Sequence, residues 1–127
     1  MTAFFIGDVA IDEYYTADRW PGRADKGMVI ELPDEIGGSI ANAAVVHAGL
    51  GGKTQFISLL NNSPLSQRLI ADLRENGVGV DHMLTDPSIA ESRNLIFLVE
   101  GEHIVLTVEM GEQPMWLTSK CLEALRQ

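Results

Sequence analysis

The chain has 127 residues, 46% of them hydrophobic, enough for one domain with a real core. Its formal net charge is −9, and its few basic residues do not cluster. That balance argues against a sequence-independent grip on nucleic acid, and no apolar run approaches a membrane span, so neither partner is expected.

Ala3 to Ile6 is a short apolar run that stops at Gly7, as a buried parallel strand would. The segment from Met1 has no basic region and too short an apolar run to be expected as a signal peptide. Asp12 follows soon after the strand's C-terminal end, where open α/β sheets place their ligand crevices. Trp20-Pro21-Gly22 marks a loop, and Met28 to Leu32 reads as a strand before Pro33.

Gly37 and Gly38 then open a helix expected from about Ser39 to Gly49. It is apolar nearly all round and is expected to be buried on more than one side. A glycine pair lets a ligand approach the main chain, and first-turn helix amides lack internal partners. Asn42 lies in that turn with a carboxamide that donates and accepts. A hydroxyl-rich or anionic small molecule would suit such a place.

Gly49, Gly51 and Gly52 end the helix and lead into a strand, Thr54 to Leu60. Gly52-Lys53-Thr54 imitates the end of a P-loop, but His47 stands where the first glycine is needed. A helix also leads into a strand here, the reverse of the P-loop order, so a helix-ending turn with a solvated lysine is expected. Ser63-Pro64 starts a second helix with Leu65, Leu69, Ile70 and Leu73 as its buried stripe, closed by Asn76-Gly77. His82 to Leu84 is a further short strand.

Leu95 to Val99 and Ile104 to Val108, separated by Glu100-Gly101-Glu102-His103, give a hairpin signal with apolar residues on both faces. Arg93, just before it, is expected to be a solvated edge charge. Thr118 is the expected N-cap of a last helix, with Leu117, Cys121, Leu122 and Leu125 on one face. No closing residue follows, which is the pattern expected of a truncated chain. His47, His82 and His103 lack metal-ligand spacing, so no metal is expected. The single cysteine, Cys121, cannot form an internal disulfide, and a reducing, cytoplasmic location is expected. Alternating strands and helices imply an α/β core with a mainly parallel sheet flanked by helices.

The run Gly37-Gly38-Ser39-Ile40-Ala41-Asn42-Ala43-Ala44, followed by Ala48-Gly49-Leu50-Gly51, resembles the first signature of the ribokinase-like (PfkB) carbohydrate kinases. Gly7 to Asp12, Phe56-Ile57-Ser58, Leu69 to Asp81 and Ser92 to Val108 fit the family in the same order. The resemblance implies a ribokinase-like fold with a small β-lid, here built from strands near residues 28–32 and 95–108. In several members two such lids pack together as a homodimer. It further implies that Asp12, Gly37, Gly38 and Asn42 bind a sugar or nucleoside-like substrate. A carboxylate suits that role because it accepts from two adjacent hydroxyls at once. Glu109 and Gly111 resemble the positions where the lid strand returns to the core.

The family's second signature, Gly-Ala-Gly-Asp, supplies the catalytic base and does not occur in this sequence. Residues 1–127 are therefore expected to be the N-terminal substrate-binding portion, with no catalytic residue of their own. ATP and Mg²⁺ are expected for the complete enzyme and neither for this chain alone. Ala10 stands where ribokinases carry asparagine, and Asn61-Asn62-Ser63-Pro64-Leu65-Ser66 replaces the usual glycine and acids. Ketose, deoxy-sugar and nucleoside kinases thus remain open. A naturally complete chain would instead be a noncatalytic sugar-binding or assembly module.

Overall fold

The computed structural model describes residues 1–110 and 115–127; Gly111 lies outside the described residues. In chain order the elements are β1 (Thr2–Ile6), β2 (Ala10–Ala17), β3 (Ile30–Glu31), β4 (Glu35–Gly37), α1 (Ser39–Gly49), β5 (Lys53–Ile57), β6 (Leu59–Leu60), α2 (Pro64–Glu75), β7 (Leu84–Thr85), β8 (Arg93–Val99), β9 (Glu102–Thr107) and α3 (Ser119–Leu125).

The body is an α/β layer. Strands β1 and β5 pair in parallel from Thr2↔Lys53 to Ile6↔Ile57, and β6 pairs in parallel with β7. Beyond β5 the chain returns through Gly79, whose amide donates to Thr54 O at 2.8 Å and whose carbonyl accepts from Phe56 N at 2.9 Å. α1 turns the fully buried Ala41 and Ala44 inward. Side chains this small let the helix backbone lie close to its neighbours, and density is kept without large side chains. α2 contributes Leu69 and Leu73, which join Val9, Ile11, Phe56, Leu60 and Val78 in one core. Each such burial removes apolar surface worth about 1.5–3 kcal/mol from water.

The second layer is a five-stranded sheet in the order β3-β2-β8-β9, with β4 also pairing β2. Only the β2–β8 contact is parallel; β3, β4 and β9 join antiparallel. β2 begins in the body core at Ile11 and runs outward, so one strand links body and lid. At its root, Ser92 Oγ donates to Val9 O at 2.5 Å and Ile11 N donates to Ser92 O at 3.0 Å.

The helix starts agree with expectation. Ser63 caps α2 by accepting from Ser66 N, Thr118 caps α3 by accepting from Cys121 N, and Pro64 opens α2. Lys53 begins β5, as the rejection of a P-loop requires. Four expectations change.

The segment after Gly7 is an eight-residue strand rather than a loop, which its unalternating sequence Ala-Ile-Asp-Glu-Tyr-Tyr-Thr-Ala concealed. Met28 to Leu32 shrinks to Ile30–Glu31, the two residues that pair with β2 as Thr16↔Ile30 and Tyr15↔Glu31. α1 is covered on one side, leaving Val46 and Leu50 61% and 84% exposed. On α3 only Cys121 is buried, while Leu122 and Leu125 face outward.

An ion pair ties α2 to the segment that precedes β4. Arg68 Nη1 donates to Asp34 Oδ2 at 2.9 Å, and the hydrogen bond to this guanidinium holds the Asp34 carboxyl below the usual carboxylate range. Both side chains are partly exposed, so the pair guides the approach to β4 more than it stabilises the fold.

Candidate functional site

Gly38 ends the extended path of β4 and begins α1 with φ of +102°, a conformation glycine adopts without strain. A side chain there would also meet the Asp8 carbonyl oxygen at 2.5 Å. No side chain caps α1, and Asn42 N donates to Gly38 O at 2.9 Å to close the first turn. The first amides of the helix therefore open beside the β1–β2 connection, the arrangement that favours an acceptor-bearing ligand.

The register Ala10↔Gly37, Ile11↔Ile36, Asp12↔Glu35 lays β4 along the start of β2. Gly37 is buried, and a Cβ on it would fall inside the Asp12 carboxylate, so the missing side chain makes room for that group. Asp12, Asn94 and Thr107 form one rung across β2, β8 and β9. Asn94 Nδ2 donates to Asp12 Oδ1 at 2.9 Å, and Thr107 Oγ1 donates to Asn94 Oδ1 at 2.8 Å.

A cleft of about 380 Å³ lies between this rung and the helix start. Asp8, Gly38, Ser39 and Ile40 wall it on the body side, and Ser92, Asn94, Thr107 and Val108 on the lid side. Of the four residues expected at the site, Gly38 lines this cleft directly. Asp12 is half-buried behind Asn94 with its carboxylate over Gly37. Asn42 is exposed in the first turn of α1, outside the cleft wall. Asn94 and Thr107 were not anticipated as site residues.

Arg93 also reaches the cleft, but not as a free solvated charge. Its Nε donates to Glu13 Oε1 at 2.5 Å, which raises the guanidinium pKa further. On the Asp12 side, burial and then the charges of Asp12 and Glu35 push the Tyr14 hydroxyl pKa above its ordinary value. The site is acidic on balance and carries donors and acceptors together. Among the described residues no group of three or more acidic, histidine or cysteine side chains is placed to hold a metal ion. No helix among them is long and apolar enough to cross a membrane.

Residues 3–123 match the model of the pfkB family carbohydrate kinases. Over 122 residues the chain is 25% identical to a ribokinase from Bacillus subtilis, covering 96% of this chain and 41% of that protein. A 53-residue stretch is 38% identical to a 5-dehydro-2-deoxygluconokinase from Geobacillus kaustophilus, 42% of this chain and 16% of the relative. The fold matches an Arabidopsis thaliana ribokinase complexed with ribose and ATP, with a TM-score of 0.83 at 22% identity, over 97% of this chain and 41% of that one. It also matches a Xylella fastidiosa fructokinase with bound ATP, with a TM-score of 0.68 at 27% identity, over 84% and 32% of the two chains. The chain thus spans well under half the length of these relatives. With the family model matched from β1 to α3, the chain belongs to the pfkB family of carbohydrate kinases.

Proposed function

We propose that this chain supplies the substrate-binding half of an ATP-dependent kinase that phosphorylates a hydroxyl of a sugar or sugar-like molecule. The observation that carries the reading is the Asp12 carboxylate seated over Gly37, beside the uncapped start of α1 at Gly38. Asp12, Gly37 and Gly38 orient the substrate, while Asn42 stands outside the cleft wall in the first turn of α1. Asp12 accepts from hydroxyls, and the glycines let the ring approach the backbone. In the reaction the substrate oxygen bonds to the γ-phosphorus, the bond to ADP breaks, and the hydroxyl proton passes to a base. That base, the ATP site and the Mg²⁺ that offsets phosphate charge belong to residues outside this chain.

Asp12→Ala in a kinase-length chain carrying residues 1–127 is expected to weaken sugar binding about 10- to 100-fold, since a charge-assisted hydrogen bond is worth roughly 1.5–3 kcal/mol. Titration calorimetry against a sugar panel, with D-ribose and D-fructose among its members, measures it. Unchanged affinity with an unchanged melting temperature removes Asp12 from the site. In a coupled ADP-release assay the 127-residue chain alone is expected to show no sugar-dependent turnover. Activity there would relocate the catalytic base and favour neither the half-enzyme reading nor a noncatalytic sugar-binding module.

The lid supports self-association as a second element of the reading. Leu98 and Val105 stay exposed on one face, and Leu106, opposite Leu95, on the other. Replacing Leu98 and Leu106 with lysine is expected to shift sedimentation from dimer to monomer. A wild-type chain that sediments as a monomer at high concentration refutes the dimer. A lone, buried Cys121 favours a reducing, cytoplasmic setting.

A further inference from the structure

Asn94 stands outside the glycine-asparagine signature, yet it is the amide that faces the cleft from the lid. A carboxamide has two N–H donors and a carbonyl oxygen with two lone pairs. One donor is taken by Asp12 Oδ1 and one lone pair by the Thr107 hydroxyl. A carboxylate only accepts, so the NH₂ end must face Asp12, and the flipped amide would set oxygen against oxygen. Among the described residues, Asn94 therefore keeps one N–H and one lone pair without a protein partner, at the cleft wall.

A hydroxyl is the ligand group that both donates and accepts. A phosphate or carboxylate would leave the lone pair unanswered and would meet the charges of Asp8 and Asp12, while Arg93 is already engaged by Glu13. We propose that Asn94 is a specificity-determining residue that reads one substrate hydroxyl from the lid, its amide oriented by Asp12 and Thr107. The proposal rests on the sugar-kinase reading above and adds to it which side of the cleft discriminates among sugars.

The test is titration calorimetry on the 127-residue chain and, in parallel, on a kinase-length chain carrying it, with D-ribose, D-fructose and their monodeoxy analogues. Asn94→Ala is expected to weaken binding of the preferred parent sugar about tenfold, the size of one lost hydrogen bond at its upper range. It should leave affinity unchanged for the single deoxy analogue that lacks the hydroxyl it reads. That exemption is a readout that a merely structural role would not produce. Thr107→Val, at an exposed position, should lose about threefold, and Thr107→Ser, which keeps the hydroxyl, should bind as wild type.

An equal loss for every sugar and analogue overturns the proposal, as does unchanged binding in both Asn94→Ala and Thr107→Val. If Asn94→Ala does not fold, Thr107→Val against the analogue series decides by the same criterion. Binding lost in Asp12→Ala but untouched at Asn94 and Thr107 overturns this inference alone. A wild type that binds no sugar in either length overturns the sugar reading and this inference with it.

Discussion

Gly37→Ala is expected to weaken sugar binding about 10- to 100-fold, as loss of the Asp12 carboxylate does, while the chain stays folded, and its neighbour Gly38→Ala is expected to fail differently. The methyl on Gly37 must occupy the space of the Asp12 carboxylate, which would swing away and release Asn94. The displaced group is the end of a half-buried side chain, so the stability cost should stay below about 1.5 kcal/mol, one hydrogen bond. At Gly38 the obstacle is backbone. A Cβ would sit 2.5 Å from the Asp8 carbonyl oxygen on a residue with φ of +102°. Neither atom can rotate aside, and a cost of about 2–4 kcal/mol is expected from strain and displacement together. Calorimetric titration and thermal melting, run on both variants, separate the two. A Gly37→Ala chain that binds sugar as wild type would mean that the carboxylate has room the structure denies it.

Phe56→Ala is expected to produce the largest loss of stability. Phe56 is fully buried in β5, in the cluster with Leu69, Leu73, Val78 and Ala44. Removing a ring there costs the transfer energy of its atoms and leaves a cavity that a strand hydrogen-bonded on both edges cannot collapse, about 3–5 kcal/mol. Against a total of about 5–15 kcal/mol for a domain, that is a large share. The melting temperature should fall on the order of 10–20 °C for a chain of this size. A drop of only a few degrees would show that the surroundings relax and that the helices are less firmly seated than their burial indicates.

The body was legible because its signals are local. The small-residue run of α1, the Ser63-Pro64 start and the stripe of α2 each read directly from spacing. The lid was harder because its central strand has no periodicity to reveal it. Tyr14 and Tyr15 fall on opposite faces, and both are half-buried. Asp12 was expected soon after the C-terminal end of β1. It lies within a paired strand, which fixes its direction more tightly.

Asn94 had a signal that was within reach. Glu100 and Gly101 both take positive φ, 53° and 76°, as a two-residue hairpin turn requires. Such a turn sets the register, and counting back from it pairs Asn94 with Thr107. What no sequence pattern carries is the parallel pairing of Asp12 with Asn94, because nothing local links them.

That pairing sets an order of events during synthesis. Asp12 and Asn94 are 82 positions apart. At ribosomal rates of roughly 5–20 residues per second, β8 emerges some 4–16 seconds after β2. By then β3 and β4 are available to one edge of β2, while the edge destined for β8 has no partner. A bare strand edge is a template for any other extended chain. The nascent protein thus passes through an interval in which half of its site is made and the facing half is a vulnerability, an opening for chaperones and for misassembly alike.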